Sequence, residues 1–197
     1  MSDKFLTYDD QVAKLIATLD GLANVNTDYA YIVHCRRKHH NVPLWVIMRA
    51  ATFGQASMMY SFLAPADKAA VAKAFAFVNE RELAYMVFYL VLFRNVCAHG
   101  ERLSSHRAYS DMPATALHAK LKLPKKGQEY ACGKRDLFGC VIALRYLLPS
   151  SDFLAFKRRL SALIERYLRD NRAVGRAELY AAMGFPDDWK TITRYHM

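Results

Sequence analysis

Apolar residues recur along most of the chain at the three-and-four spacing of a helix face, and almost nowhere at the alternating spacing of a half-buried strand. Val12, Leu15, Ile16 and Leu19 form the first stripe; Thr7 and Asp10 precede it at capping-box spacing, and Gly21 follows as a stop. Asp28 is placed to start a second helix over Tyr29 to His34, which runs into the basic stretch Arg36-Arg37-Lys38-His39-His40. Pro43 suits the first turn of a third helix carrying Trp45 to about Phe62, ended by Pro65. Ala66 to Val78 reads as a fourth, and Glu82 to Ala98 as a fifth that is apolar on nearly every side, the pattern of a helix at the centre of a fold. Gly100 is placed to end it.

From Ser104 to Gly133 the pattern weakens. Two prolines, two glycines and the Lys120, Lys122, Lys125, Lys126 cluster predict a long mobile basic loop with one short helix at Ala114 to Leu121. Helices follow at Asp136 to Leu148 and Asp152 to Asp170, with a last short one at Glu178 to Met183. With no strand-length alternation and no internal repeat, the fold class is all-α, and 197 residues suit a single domain over 1–197.

Composition narrows the function classes. Hydrophobic residues make up 53 % and charged residues 23 %, which excludes a disordered or fibrous chain. The net charge of +10 makes a polyanion the first partner class to consider. The opening Met-Ser-Asp-Lys-Phe-Leu-Thr lacks a secretory pattern, and the longest apolar run, Leu83 to Phe93, is far shorter than the roughly 20 residues a membrane span needs. No membrane contact is therefore expected. Cys35, Cys97, Cys132 and Cys140 form no disulfide framework, so reduced thiols and a cytoplasmic location are expected. His34, Cys35, His39 and His40 make only half of a zinc site, and neither an acidic cluster nor a glycine-rich phosphate loop is present, so no metal or other cofactor is expected.

The informative spot is Arg94-Asn95-Val96-Cys97-Ala98-His99, at the end of the apolar helix. A guanidinium buried there would need an anionic partner. Arginine offers a donor fork matched to phosphate oxygens, and histidine exchanges a proton near neutral pH. Together the two are suited to a phosphodiester. On a continuous helix residues five apart are about 140° and about 7.5 Å apart, so Arg94 and His99 would not face one atom. Either the helix ends first and turns His99 inward, or a second copy brings its own pair across a two-fold axis. Asn95 is a candidate orienting group for His99 or for the helix end, and Cys97 is expected in the core.

The string Arg94-Asn95-Val96-Cys97-Ala98-His99-Gly100-Glu101-Arg102-Leu103 resembles the R-N-x-x-A-H-x-x-R-L motif of the Abi-like (abortive infection, AbiD/AbiF type) proteins of the HEPN superfamily. Pro43-Leu44-Trp45, then Phe53-Gly54, Ser57 and Tyr60, resemble that family's P-x-W and F-G-x-x-S-x-x-Y segment. Weaker likenesses are Leu6-Thr7-Tyr8-Asp9-Asp10-Gln11 and Met183-Gly184-Phe185-Pro186 with Trp189. The resemblance is concentrated in 33–103; helices within 134–183 are compatible with it. Arg49 stands where the family usually carries an acidic residue.

The resemblance implies a homodimeric HEPN-type helical bundle with an irregular basic loop after the motif helix. It also implies metal-independent RNA cleavage in phage defence. Arg94, His99 and Asn95 would then form the catalytic set, and Arg102 with Arg36, Arg37 and Lys38 an RNA-binding set. Residues 157 to 176 are a further basic candidate, with seven lysines and arginines against Glu165 and Asp170. Two alternatives stand beside this reading: an RNA-binding module that does not cut, and a protein-interaction or antitoxin-like helical dimer. A non-coding RNA and a regulatory protein are both open as further partners.

Overall fold

The computed structural model describes residues 7–25 and 28–195. Leu6 and the rest of the opening segment before Thr7 lie outside the described residues. The described residues are all-α apart from one very short hairpin, and they divide into two compact units, 1–68 and 69–197.

In the first unit α1 (Tyr8–Asn24) starts at the expected capping box: the Asp10 amide donates to Thr7 Oγ1 at 3.2 Å and the Thr7 amide donates to Asp10 Oδ2 at 3.0 Å. Gly21 does not stop this helix. It is buried within it, and its carbonyl still accepts from the Val25 amide at 3.0 Å. Helix α2 (Ala30–His39) extends through the basic run to a left-handed cap at His40, so Arg36, Arg37, Lys38 and His39 sit on its negative end.

The expected third helix is two helices. Pro43 caps the short α3 (Leu44–Ile47), and Thr52 opens α4 (Phe53–Phe62) through its own capping box with Gln55. That local start outweighs the continuity of the apolar run. Ala23, Ile32, Val42, Val46 and Ile47 form the buried cluster that joins α1, α2 and α3. Helix α5 (Pro65–Ala72) begins at Pro65 and ends six residues before the expected Val78.

The second unit is built on α6 (Glu80–Ala98), started by an Asn79–Glu82 capping box and packed against α8 (Leu137–Leu147). Leu83, Met86, Tyr89 and Phe93 of α6 are buried, as are Phe138, Val141 and Ile142 of α8. Tyr89 Oη donates to the Asp136 carbonyl at 2.8 Å, and the Asp136 carboxylate caps α8 by accepting from the Gly139 amide at 3.1 Å. Two further helices, α9 (Ser150–Asp170) and α10 (Arg176–Met183), complete the set after α7 (Ala116–Lys120).

The segment expected to be a mobile loop is instead tied down. A 3₁₀ turn (Leu103–Ser105), α7, and the antiparallel pair β1 (Lys125–Lys126) and β2 (Glu129–Tyr130) occupy it. Met112, Leu117 and His118 within it are fully buried. His118 Nδ1 accepts from the Thr115 amide at 3.0 Å, which leaves Nε2 as the protonated nitrogen, donating to the Gly133 carbonyl at 3.0 Å. One neutral imidazole thus links α7 to the turn before α8, and burial holds its pKa below the ordinary value.

The Met183-Gly184-Phe185-Pro186 segment with Trp189 closes this unit. Trp189 is fully buried, packs edge-on to Phe185 with ring centroids 5.1 Å apart, and donates from Nε1 to Tyr180 Oη at 3.2 Å. Gly184 has φ +74°, and a Cβ there would lie 2.1 Å from Asp136 Cγ. No other residue fits that backbone and that contact together.

Candidate active site at the end of α6

Helix α6 ends at Ala98, with His99 as its cap residue. The stop is a Schellman motif: Gly100 takes the left-handed conformation at φ +69°, its amide donates to the Cys97 carbonyl at 3.3 Å, and the Glu101 amide donates to the Val96 carbonyl at 3.0 Å. Those two bonds satisfy carbonyls that the helix itself leaves open. The sequence expectation for Gly100 holds. The motif also places His99 just past the last helical turn.

Arg94 and His99 are both exposed. The guanidinium therefore escapes the desolvation that would have demanded a buried anion. Its Nη1 donates to Asn95 Oδ1 at 3.2 Å, and among the described residues no carboxylate pairs with it. His99 is not turned inward; its own amide donates to the Asn95 carbonyl at 3.0 Å. Asn95 thus touches both members of the pair, through its side chain to Arg94 and through its backbone to the cap residue. Cys97 is exposed and not in the core, although it follows the buried Phe93 by one helical turn; it lies in the last turn of α6.

Arg102, the residue before the 3₁₀ turn, is exposed. The second basic set divides. Arg37 and Lys38 are exposed, whereas Arg36 is half-buried and donates from Nη1 to the carbonyl of Asn24 at the end of α1. Arg36 therefore has a structural duty that the basic run does not reveal. Arg49, set where the family's acidic residue is usual, lies over the Tyr31 ring with Cζ 4.8 Å from the centroid. Tyr31 in turn stacks on Tyr29 at 5.4 Å.

The basic stretch over 157–176 also divides. Lys157 donates to the Lys190 carbonyl and to Thr193 Oγ1, both at 2.6 Å, and burial lowers its pKa. Arg176 grips Glu165 with two bonds of 2.7 Å, and that pairing, with Lys190, draws the Glu165 carboxyl down to about 2. Arg159 and Arg166 stay exposed.

Among the described residues no three His, Cys, Asp or Glu side chains converge to hold a metal ion, and no helix is long and apolar enough to cross a membrane. Sequence reasoning overlooked the apolar depression beside Leu103. The stripe Leu160, Leu163, Ile164, Tyr167 on α9 was its visible signal.

No curated protein and no solved structure matches the chain. One family model does, that of the Abi-like protein, over residues 3–105, which takes in α1 to α6, Arg94, His99 and Arg102. With more than half its length matched, the chain belongs to the Abi-like protein family.

Proposed function

We propose that this protein is a metal-independent endoribonuclease of the HEPN type, acting in phage defence, with Arg94 and His99 as its reactive pair in a site shared by two protomers. Membership of the Abi-like family supports the defence role. The observation that carries the chemistry is the exposure of Arg94 and His99 together at the Schellman end of α6, with no carboxylate on Arg94 among the described residues. A purely structural arginine would be neutralised within the fold. This one presents its donors outward.

In the reaction His99 takes the proton of a ribose 2′-hydroxyl, and the 2′-oxygen forms a bond to the adjacent phosphorus. The bond from phosphorus to the 5′-oxygen breaks, and that oxygen leaves with a proton from the second protomer's His99. Arg94 stabilises the extra negative charge on the phosphoryl oxygens at the transition state. Two copies supply the base and the acid that one exposed imidazole cannot be at once. Asn95 is a positioning residue, fixing the guanidinium.

The test is incubation of the purified protein with mixed RNA in EDTA, followed by end-group analysis. Products with 2′,3′-cyclic phosphate and 5′-hydroxyl ends are expected, DNA of the same sequence should stay intact, and His99→Ala should bind RNA without cutting it. RNA bound but uncut by the wild type would instead make the chain a binding module.

A further inference from the structure

In the second unit α8, α9, α10 and the 3₁₀ turn after Arg102 enclose an apolar groove of about 290 Å³. Leu137, Ile164 and Met183 line it together with Leu103, Leu163 and Tyr167. Ile164 and Met183 are buried, whereas Leu163 and Tyr167 are 56 % and 44 % exposed. Two large side chains are thus left half in water at the mouth of an apolar slot.

The charges beside the groove are mostly positive: Glu178 precedes Leu179, and Glu165 after Ile164 is held by Arg176 and Lys190, against three arginines. Arg102 directly precedes Leu103, Arg159 directly precedes Leu160, and Arg166 directly precedes Tyr167, so each of three groove residues follows an arginine. Arg159 and Arg166 are seven apart and lie on one side of α9. All three guanidinium groups are exposed, and among the described residues none has a hydrogen bond or an ion pair. An apolar slot with an exposed aromatic ring at its mouth and unpaired cations beside it matches a polymer that alternates flat bases with phosphates. Leu103 is four residues from His99, a chain reach of no more than about 14 Å.

We propose that this groove is a nucleobase subsite for single-stranded RNA: it takes a base close to the linkage held at Arg94 and His99, while Arg102, Arg159 and Arg166 hold the flanking phosphates. This inference rests on the ribonuclease reading and deepens it by placing the substrate. Tyr167 stacks on the base, and Leu163 covers its edge. The arginines read no sequence; the slot does, by size and shape.

The test uses the full-length His99→Ala protein, so that no probe is consumed. Its affinity is measured for a fluorescein-labelled single-stranded 12-mer RNA and for the same backbone carrying abasic spacers. Tyr167→Ala is expected to weaken binding of the base-bearing probe about tenfold and leave the abasic probe unchanged. Leu163→Asn, at a site open enough to keep the fold, is expected to act in the same direction. Arg166→Ala is expected to weaken both probes alike and to reduce the salt dependence.

Equal affinity of the groove variants and the parent for both probes overturns the proposal. So does a fall to monomer mass in sedimentation on Leu163→Asn, which would assign the groove to a second copy of the chain. Cleavage by the wild type with groove variants that bind unchanged sinks the subsite and keeps the nuclease. Base-dependent binding through Tyr167 in a protein that never cuts RNA sinks the nuclease and keeps the groove as an RNA site.

Discussion

Arg94 Nη1 donates to the Oδ1 of its chain neighbour Asn95 at 3.2 Å, and this is the hold the protein keeps on the guanidinium at the end of α6. An arginine on an exposed turn otherwise samples many rotamers, and each costs entropy to freeze at the moment of reaction. Asn95→Ala is therefore expected to lower kcat about ten- to a hundredfold with KM and thermal stability nearly unchanged. Arg94→Ala removes the charge itself and is expected to cost about a hundred- to a thousandfold. Arg94→Lys should recover only part of it, because an ammonium cannot reproduce the fork. Single-turnover cleavage of a defined RNA measures all three.

Gly100 should matter for stability and activity at once. An added Cβ would meet nothing within 4 Å, so the cost of Gly100→Ala is the left-handed backbone alone, about 1 kcal/mol. A Tm lower by about 2–4 °C is expected from thermal unfolding. Cleavage should fall further than that loss explains, since the turn at Gly100 sets where His99 leaves the helix.

The buried imidazole of His118 predicts an acid limit. Its folded pKa lies below the ordinary value, so the unfolded chain takes up the proton first as the pH falls below about 6.5. The contribution is complete above that pH and declines as the pH drops towards the lower folded value. Asp136 acts in the opposite sense: burial raises its pKa, so the folded state takes up that proton first at more acid pH. Comparing the Tm of wild type and His118→Gln from pH 7.5 to pH 5 isolates the imidazole. The wild type should lose stability more steeply, and the variant should start lower by about 1–3 kcal/mol.

The basic run on α2 should split in two. Arg36→Ala leaves the Asn24 carbonyl without its donor and is expected to lower Tm, by about 1 kcal/mol of stability. Arg37→Ala and Lys38→Ala, both exposed, are expected to leave Tm unchanged and to weaken RNA binding only at low salt. Calorimetry and a salt titration of binding separate the two effects.

What the sequence made legible follows from locality. Capping at Thr7, the stop at Gly100 and the all-helical class depend on residues within a few positions, and all were visible. The break at Thr52 was just as local, yet the mostly apolar stretch from Trp45 to Phe62 concealed it. In 104–133 only the short helix α7 was visible; the rest of the order was not, because it hangs on single contacts such as His118 with Gly133, which leave no period. The exposed state of Arg94 and Cys97 was missed for a third reason. Nearly uniform apolarity along α6 hides which face is covered, and that is decided by α8, which begins at Leu137, well beyond the end of α6.

The fit of Gly184 against Asp136 carries an evolutionary consequence. A Cβ at 184 would fall on the carboxylate at 136, and the left-handed backbone disfavours one there in any case, so position 184 cannot drift while Asp136 stands. Descendants of this chain that keep Asp136 should keep the glycine. In a family alignment glycine is expected at 184 wherever Asp stands at 136, although 48 positions separate them.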